Sequence, residues 1–175
     1  MIRAIIITGT LLFSAFFTYG YGEIIKVPQN YTTIQEAVNS ASPGDTILES
    51  PGDYLENSLI DKPVFLISES GSDLTNIEDP DISPSWGTAE TMVILIDSPG
   101  PGKVSGFTII GKDDTNGAGI KLDFSNWEIS DCTILHNHFG VYSYAVNSDI
   151  NNNRIRMNYL GVTRHNFTGR TPDAS

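Results

Sequence analysis

Short apolar segments recur along this chain at a fixed spacing, separated by polar and glycine-containing turns. Ile129 and Ile134 return 21 residues later as Ile150 and Ile155. A glycine followed by a β-branched residue keeps the same spacing at positions 119, 140 and 161. Repeats of about 20 to 50 residues mark solenoids, in which each repeat buries its apolar side only by stacking on its neighbour. The pattern therefore predicts a solenoid built from short strands.

The same repeat predicts which side chains lie inside. Residues 104–110, 128–135 and 149–156 are each predicted as one strand of successive turns, with Cys132 and Ile134 on one strand face. Ile134 is expected to lie directly against Ile155 of the next turn. The recurring glycines are expected at tight turns that need a positive φ.

Two asparagines follow the repeat outside the predicted strands. Asn137 and Asn158 are 21 residues apart. We expect their side chains to hydrogen-bond along the axis of the solenoid.

One amphipathic helix is predicted before the strands begin. Thr33 and Glu36 have the spacing of an N-terminal capping box, and Ile34, Ala37 and Val38 line one helical face. A lone helix ahead of many strands is suited to covering the first coil and its open sheet edge. It is therefore predicted to be an N-terminal cap.

The first residues are predicted to be a secretory signal peptide. Arg3 precedes an apolar stretch that is shorter than a membrane span, and small residues at Gly20 and Gly22 fit a cleavage site. The predicted organisation is a signal peptide over residues 1–22, a β-helix domain over 23–168 and a disordered tail over 169–175. The chain is therefore expected to be secreted, periplasmic or at the cell surface, with no membrane span once the signal is removed.

Charge and cysteine content narrow the possible partners. The formal net charge is −11, with 21 acidic and 10 basic residues. Binding to duplex nucleic acid rests on basic patches, so nucleic acid is not expected as a partner. The single cysteine, Cys132, cannot form an internal disulfide and is expected to be a small buried residue of the stack.

Several phrases resemble a known superfamily. Residues 31–47, the Pro51-Gly-Asp-Tyr54 phrase, residues 64–67 and the strand at 104–109 are similar to pectin-lyase-like proteins. The closest groups are the NosD-like periplasmic copper-accessory proteins and the carbohydrate-binding and sugar-hydrolase (CASH) domains. The resemblance implies an all-β, right-handed, single-stranded parallel β-helix with an N-terminal capping α-helix. Members of the superfamily carry out many different functions on this fold.

The enzyme branches of this superfamily are matched only in part. Residues 33–37 share the opening of pectin methylesterases, but the later catalytic phrases of that branch do not occur in the sequence. The full residue sets of polygalacturonases and pectate lyases are also missing, and the acidic pair Asp113-Asp114 is interpreted as solvated turn charges. No catalytic residue is assigned. A non-catalytic module is expected, with a fragment of a polysaccharide lyase or glycoside hydrolase as the alternative.

Carbohydrate binding is the first site hypothesis. Alternation along residues 141–144 places Tyr142 and Tyr144 on the side opposite Val141, which is expected to face inward. Two outward tyrosines predict a sugar-binding strip. The expected partner is a polysaccharide or another cell-surface protein.

A metal site is the second hypothesis. His136 and Met157 are 21 residues apart, and imidazole and thioether are ligands that suit copper. Two ligands make an incomplete set, so no cofactor is expected, with copper or calcium as alternatives. A NosD-like copper-binding accessory protein is the corresponding functional alternative.

Two further features concern modification and assembly. Asn30 and Asn166 begin glycosylation sequons, which an exported chain presents to any glycosylating machinery. No polar cap is recognisable after the last coil, although solenoids need capping repeats. The domain is therefore expected to be truncated at its C-terminal end and able to self-associate through that coil.

Overall fold

The fold is a parallel β-solenoid with one short helix near its start. The computed structural model describes residues 22–80, 92–112, 117–123, 126–144 and 147–164. Helix α1 covers Ile34–Ser40. The strands, in chain order, are β1 (Ile24–Val27), β2 (Thr46–Glu49), β3 (Gly52–Leu55), β4 (Ser58–Ile60), β5 (Phe65–Ser68), β6 (Thr75–Glu78), β7 (Met92–Ile96), β8 (Gly102–Ser105), β9 (Thr108–Ile110), β10 (Ala118–Leu122), β11 (Trp127–Ser130), β12 (Thr133–Leu135), β13 (Phe139–Ser143), β14 (Asp149–Asn151), β15 (Arg154–Ile155) and β16 (Leu160–Arg164).

The strands form three parallel sheets, and each full coil contributes one strand to each sheet. Sheet A has the order β1-β2-β5-β8-β11-β14, sheet B has β3-β6-β9-β12-β15, and sheet C has β4-β7-β10-β13-β16. The strand pairs in all three sheets run parallel. The predicted all-β parallel β-helix with an N-terminal helix is therefore confirmed, with about five turns.

Like side chains stack along the axis, as the repeat predicted. In sheet B, Ile134 pairs with Ile109 on one side and with Ile155 on the other. Ile109 and Ile134 have no exposed surface. Apolar residues of the three sheets meet in one continuous core that runs from the helix to the last coils.

The predicted long strands are each broken into two by a corner between sheets A and B. Gly106, Asp131 and Asn152 occupy these corners with φ values of 84°, 57° and 53°. A single residue in this left-handed region redirects the chain from one sheet to the next. The prediction that Cys132 and Ile134 share one strand was therefore wrong, since Cys132 lies in the corner before β12, although its side chain is buried in the core.

The recurring glycines serve a different purpose from the predicted one. Gly119, Gly140 and Gly161 lie inside β10, β13 and β16, and none of them has a positive φ. A Cβ atom on Gly140 would lie 2.6 Å from Cγ2 of Ile155, and one on Gly119 would lie 2.7 Å from the corresponding atom of Ile134. Positions 119 and 140 require glycine because the stacked isoleucines of sheet B leave no room for a side chain there.

We expect Gly140→Ala to lower the free energy of unfolding by about 1–3 kcal/mol, the usual cost of overpacking. Gly161→Ala is the matched control, because its nearest contact would be Cγ2 of Ile155 at 3.9 Å. Urea unfolding of both variants checks this. Equal destabilisation by the two substitutions would contradict the steric explanation.

Asparagines connect successive coils at the corners. Asn158 Oδ1 accepts hydrogen bonds from the main-chain N–H of Asn137 at 2.9 Å and from its Nδ2 at 3.1 Å. Asn153 Oδ1 accepts from the Cys132 N–H at 2.9 Å in the equivalent place between sheets A and B. The predicted asparagine contact along the axis is confirmed, and these bonds satisfy buried corner amides.

Helix α1 covers the start of the solenoid. Thr33 is its N-cap, and Thr33 Oγ1 accepts the Glu36 N–H at 3.1 Å. Ile34, Ala37 and Val38 are fully buried in the main core. Within the described ranges, no helix has the length and apolarity needed to cross a membrane.

Candidate functional site: the outer face of sheet C

The outer face of sheet C carries apolar and aromatic side chains that do not belong to the main core. In β13, Gly140 points inward and Val141 is fully buried in the main core. Gly140 and Val141 both face inward, so the residues on either side of them, Phe139 and Tyr142, both face outward. There they pack on a separate apolar cluster. That cluster also contains Met92, Leu95, Ala118 and Leu59.

Five aromatic rings on and beside this face touch one another in series. The centroids of Tyr144 and Tyr142 are 5.0 Å apart and edge to face, and those of Tyr142 and Phe139 are 4.7 Å apart. Phe139 is 4.6 Å from His138, which stacks at 4.7 Å on Tyr159 of the next coil. We call this group, His138, Phe139, Tyr142, Tyr144 and Tyr159, the aromatic strip.

The strip is held by hydrogen bonds and by the sheet register. The Tyr142 hydroxyl donates to the Tyr144 hydroxyl at 2.9 Å. Tyr142 lies between Lys121 and Thr163 of the neighbouring strands. Lys121 Nζ lies 6.0 Å from the centroid of the Tyr144 ring and 3.7 Å from a carboxyl oxygen of Asp123. These contacts hold the Tyr142 and Tyr144 rings in a defined arrangement without a ligand.

Apolar ring faces and polar groups meet at this surface. Phe139, Tyr142 and Tyr144 are partly exposed, and the Tyr159 side chain is 78% exposed. Aromatic rings with a polar tip contribute contact area at low entropic cost, and binding sites commonly combine such rings with a few placed polar groups. The strip can therefore hold a ligand that has both an apolar face and hydroxyl groups.

The two predicted metal ligands lie in neighbouring corners between sheets B and C. The His136 N–H donates to the Met157 carbonyl at 3.2 Å, and the two residues have φ values of 59° and 55°. His136 is half-buried, and Met157 is 65% exposed. Among the described residues, no group of three or more His, Cys, Asp or Glu side chains could hold a metal ion. The contact between the two residues is thus a main-chain hydrogen bond, and both residues form corners of the solenoid.

Only one of the two predicted glycosylation sites lies among the described residues. Asn30 is exposed in the turn after β1, where its Oδ1 accepts the Lys26 N–H at 2.7 Å. Asn166 lies outside the described residues, as do Asp113-Asp114, residues 1–21 of the predicted signal peptide and the predicted tail. The side-chain amide of Asn30, which a glycan would modify, therefore takes part in the hydrogen bonding of this turn.

Cys132 has the properties of a structural residue. Its thiol is 1% exposed and lies 3.2 Å from the Ser130 carbonyl. Burial raises the pKa of the Cys132 thiol to about 11. A thiol that stays protonated at neutral pH is a poor nucleophile, since the thiolate is the reactive form.

Sequence reasoning identified the two tyrosines of the strip but missed residues of earlier coils on the same face. Alternation along β13 indicated Tyr142 and Tyr144, but Lys121 and Met92 were not recognised as part of the same face. Lys121 precedes Tyr142 by 21 residues, so the repeat carried the signal that joins them. The stacking of His138 on Tyr159 follows the same spacing.

Comparison with known proteins adds no relative to this description. No protein-family model matches the chain, and no curated protein matches it at a significant level.

Proposed function

We propose that this protein is an exported, non-catalytic β-helix module that binds polysaccharide through the outer face of sheet C. The parallel β-helix supports this proposal, because the sequence phrases described above resemble pectin-lyase-like proteins of the NosD-like and CASH groups. That superfamily includes carbohydrate-binding members. Membership of the superfamily is part of the proposal.

The aromatic strip is the observation that carries the proposal. Its rings lie in unbroken contact, with neighbouring centroids between 4.6 and 5.0 Å apart. From Phe139 to Tyr144 the strand rises about 16 Å at 3.3 Å per residue. A surface of that length suits an extended polymer better than a small compact ligand.

Charge favours a neutral polysaccharide over a polyanion. The chain has 21 acidic and 10 basic residues. A polyanion would therefore be repelled by the field of the whole protein, at low ionic strength above all. Lys121 is positioned to donate to a sugar hydroxyl at the edge of the strip, where Asp123 offsets part of its charge.

We expect the double variant Tyr142→Ala with Tyr144→Ala to lose its retardation in native gels that contain a neutral soluble polysaccharide such as xyloglucan. Loss of the rings removes most of the apolar contact area, and one stacked ring contributes about 0.5–1.5 kcal/mol beyond its burial. The double variant Tyr142→Phe with Tyr144→Phe keeps the rings and should keep most of the retardation. Affinity gel electrophoresis measures both.

Phe65→Ala is the control, because Phe65 is an aromatic residue 37% exposed on sheet A, away from the strip. A loss of retardation in this variant, or none in the tyrosine double variant, would contradict the proposal. Thermal unfolding confirms that each variant is folded. Release of reducing or unsaturated sugars by the pure protein would overturn the non-catalytic part alone.

A further inference from the structure

The corners between sheets A and B differ in length from coil to coil. Two residues make this connection between β2 and β3, β8 and β9, β11 and β12, and β14 and β15. Between β5 and β6 the connection has six residues, 69–74. One loop therefore extends beyond a row of tight corners and forms a wall beside them.

Hydrogen bonds fix this loop. The Gly71 N–H donates to Ser68 Oγ at 3.0 Å, and that hydroxyl also lies 2.7 Å from Thr75 Oγ1 across the base of the loop. Thr108 of the next coil donates through its hydroxyl to the Ser72 carbonyl at 2.5 Å. The wall is thus tied both to its own coil and to the coil after it.

The tight corners form the floor next to the loop. Gly106 allows close approach of the loop and the floor, since a Cβ atom at this position would lie only 3.3 Å from Cβ of Ser68. Asp131 and Asn152 follow at the same corner in the next two coils, and both side chains are exposed. Asn152 Nδ2 donates to Asp131 Oδ1, and Ser105 Oγ donates to Asp131 Oδ2 at 3.4 Å.

Loop and floor enclose a cleft of about 450 Å³. Its lining includes Asp73 from the loop, Asp131, Asn152 and Arg154 from the floor, and serine hydroxyls. This volume lies within the range of ligand sites, about 300–1,000 Å³. Successive floor residues are about 4.8 Å apart along the axis, because each belongs to the next coil.

We propose that this corner cleft is a second binding site, for a neutral saccharide, separate from the aromatic strip. Its carboxylates accept hydrogen bonds from hydroxyl groups, its guanidinium donates them, and its amides do both. The described residues of the lining include no aromatic ring, so recognition there rests on hydrogen bonds. Two carboxylates against one guanidinium disfavour a polyanionic ligand.

The test is titration of the ¹⁵N-labelled protein with cellohexaose, xylohexaose and maltohexaose, followed by NMR. The amide signals of Gly71, Gly106 and Asn152 should shift with at least one of these sugars. The same shifts should persist in the Tyr142→Ala, Tyr144→Ala variant, which separates this site from the proposed function. A galacturonan hexasaccharide should give weaker shifts.

Two variants remove single cleft groups. Asp73→Ala and Asn152→Gly should each weaken the interaction about fivefold, the effect of one lost hydrogen bond. Glycine is chosen at 152 because it tolerates the positive φ. Asp61→Ala is the control, since Asp61 is an exposed aspartate outside the cleft lining.

Three results would overturn the second site. One is the absence of shifts at these amides with all three neutral sugars at millimolar concentration. Another is unchanged affinity in both cleft variants, and the third is tighter binding of the galacturonan than of any neutral sugar.

Discussion

Ile134→Asp is expected to abolish cooperative folding of the β-helix. Ile134 has no exposed surface and lies between Ile109 and Ile155 in the centre of sheet B. The substituted carboxylate would have apolar neighbours above and below it and no partner. Burying an unpaired charge is among the few single changes that cost more than about 4 kcal/mol. That is comparable to the whole stability of a small domain, about 5–15 kcal/mol.

Circular dichroism and thermal unfolding measure this effect. The variant should lack the cooperative transition of the parent. Ile24→Asp is the matched control, because Ile24 is 58% exposed on β1 and the same substitution there leaves the charge in water. Its expected cost is within about 0.5 kcal/mol, as for surface substitutions in general. A parent-like transition in Ile134→Asp would show that the stack does not exclude water at this position.

Stacking in this molecule was predictable because the repeat places like residues in contact. A spacing of 21 residues between Ile134 and Ile155 becomes a direct pairing between β12 and β15. The helix was equally predictable, since its cap and its apolar face are local in sequence. The repeat spacing and the helix-capping pattern can both be read directly from the residues that form these features.

The corners were not predicted because residues other than glycine hold the left-handed conformation there. Asp131, His136, Asn152 and Met157 all have positive φ, although glycine is the usual choice there. The repeating glycines pointed to turns, but Gly119 and Gly140 instead make room for the isoleucines of sheet B. A glycine requirement can arise from φ or from space, and only the fold distinguishes the two.

The two proposed sites also differ in how far the sequence could predict them. Tyr142 and Tyr144 follow strand alternation, so their outward direction could be inferred from the neighbouring residues. The corner cleft depends on residues 69–74, which have no counterpart in the other coils. A feature that occurs once in a repeat architecture carries no periodic signal and becomes visible only when the coils are assembled.

The second large effect is a pH dependence of the free energy of unfolding, which arises from a buried carboxyl group near the helix cap. Glu49 ends β2 with no exposed surface, and neither of its carboxyl oxygens has a hydrogen-bond partner in the described part of the chain. The nearby Tyr54 hydroxyl lies 2.8 Å from the Ser50 carbonyl, to which it donates instead. Burial, followed by repulsion from Glu56, raises the pKa of Glu49 from 4.5 to about 8.

The sign of the pH dependence follows from this pKa. Between pH 4.5 and 8 the unfolded chain releases a proton that folded Glu49 retains. The contribution of Glu49 to the free energy of unfolding is therefore greatest below pH 4.5, falls across this interval and levels off above pH 8. The loss from Glu49 is on the order of 5 kcal/mol, at 1.36 kcal/mol for each unit of pKa difference. Burial also raises the pKa of Glu56, which acts in the same direction.

Glu49→Gln should remove most of this dependence, because an amide has no proton to release in this range. Urea unfolding at pH 4.5, 6.5 and 8.5 should show the variant gaining on the parent as the pH rises. Glu78→Gln is the control, since Glu78 is exposed on β6 and its loss should leave the parent's slope unchanged. Parallel pH profiles for the parent and Glu49→Gln would mean that this carboxyl reaches water, and that helix α1 does not seal the first coil.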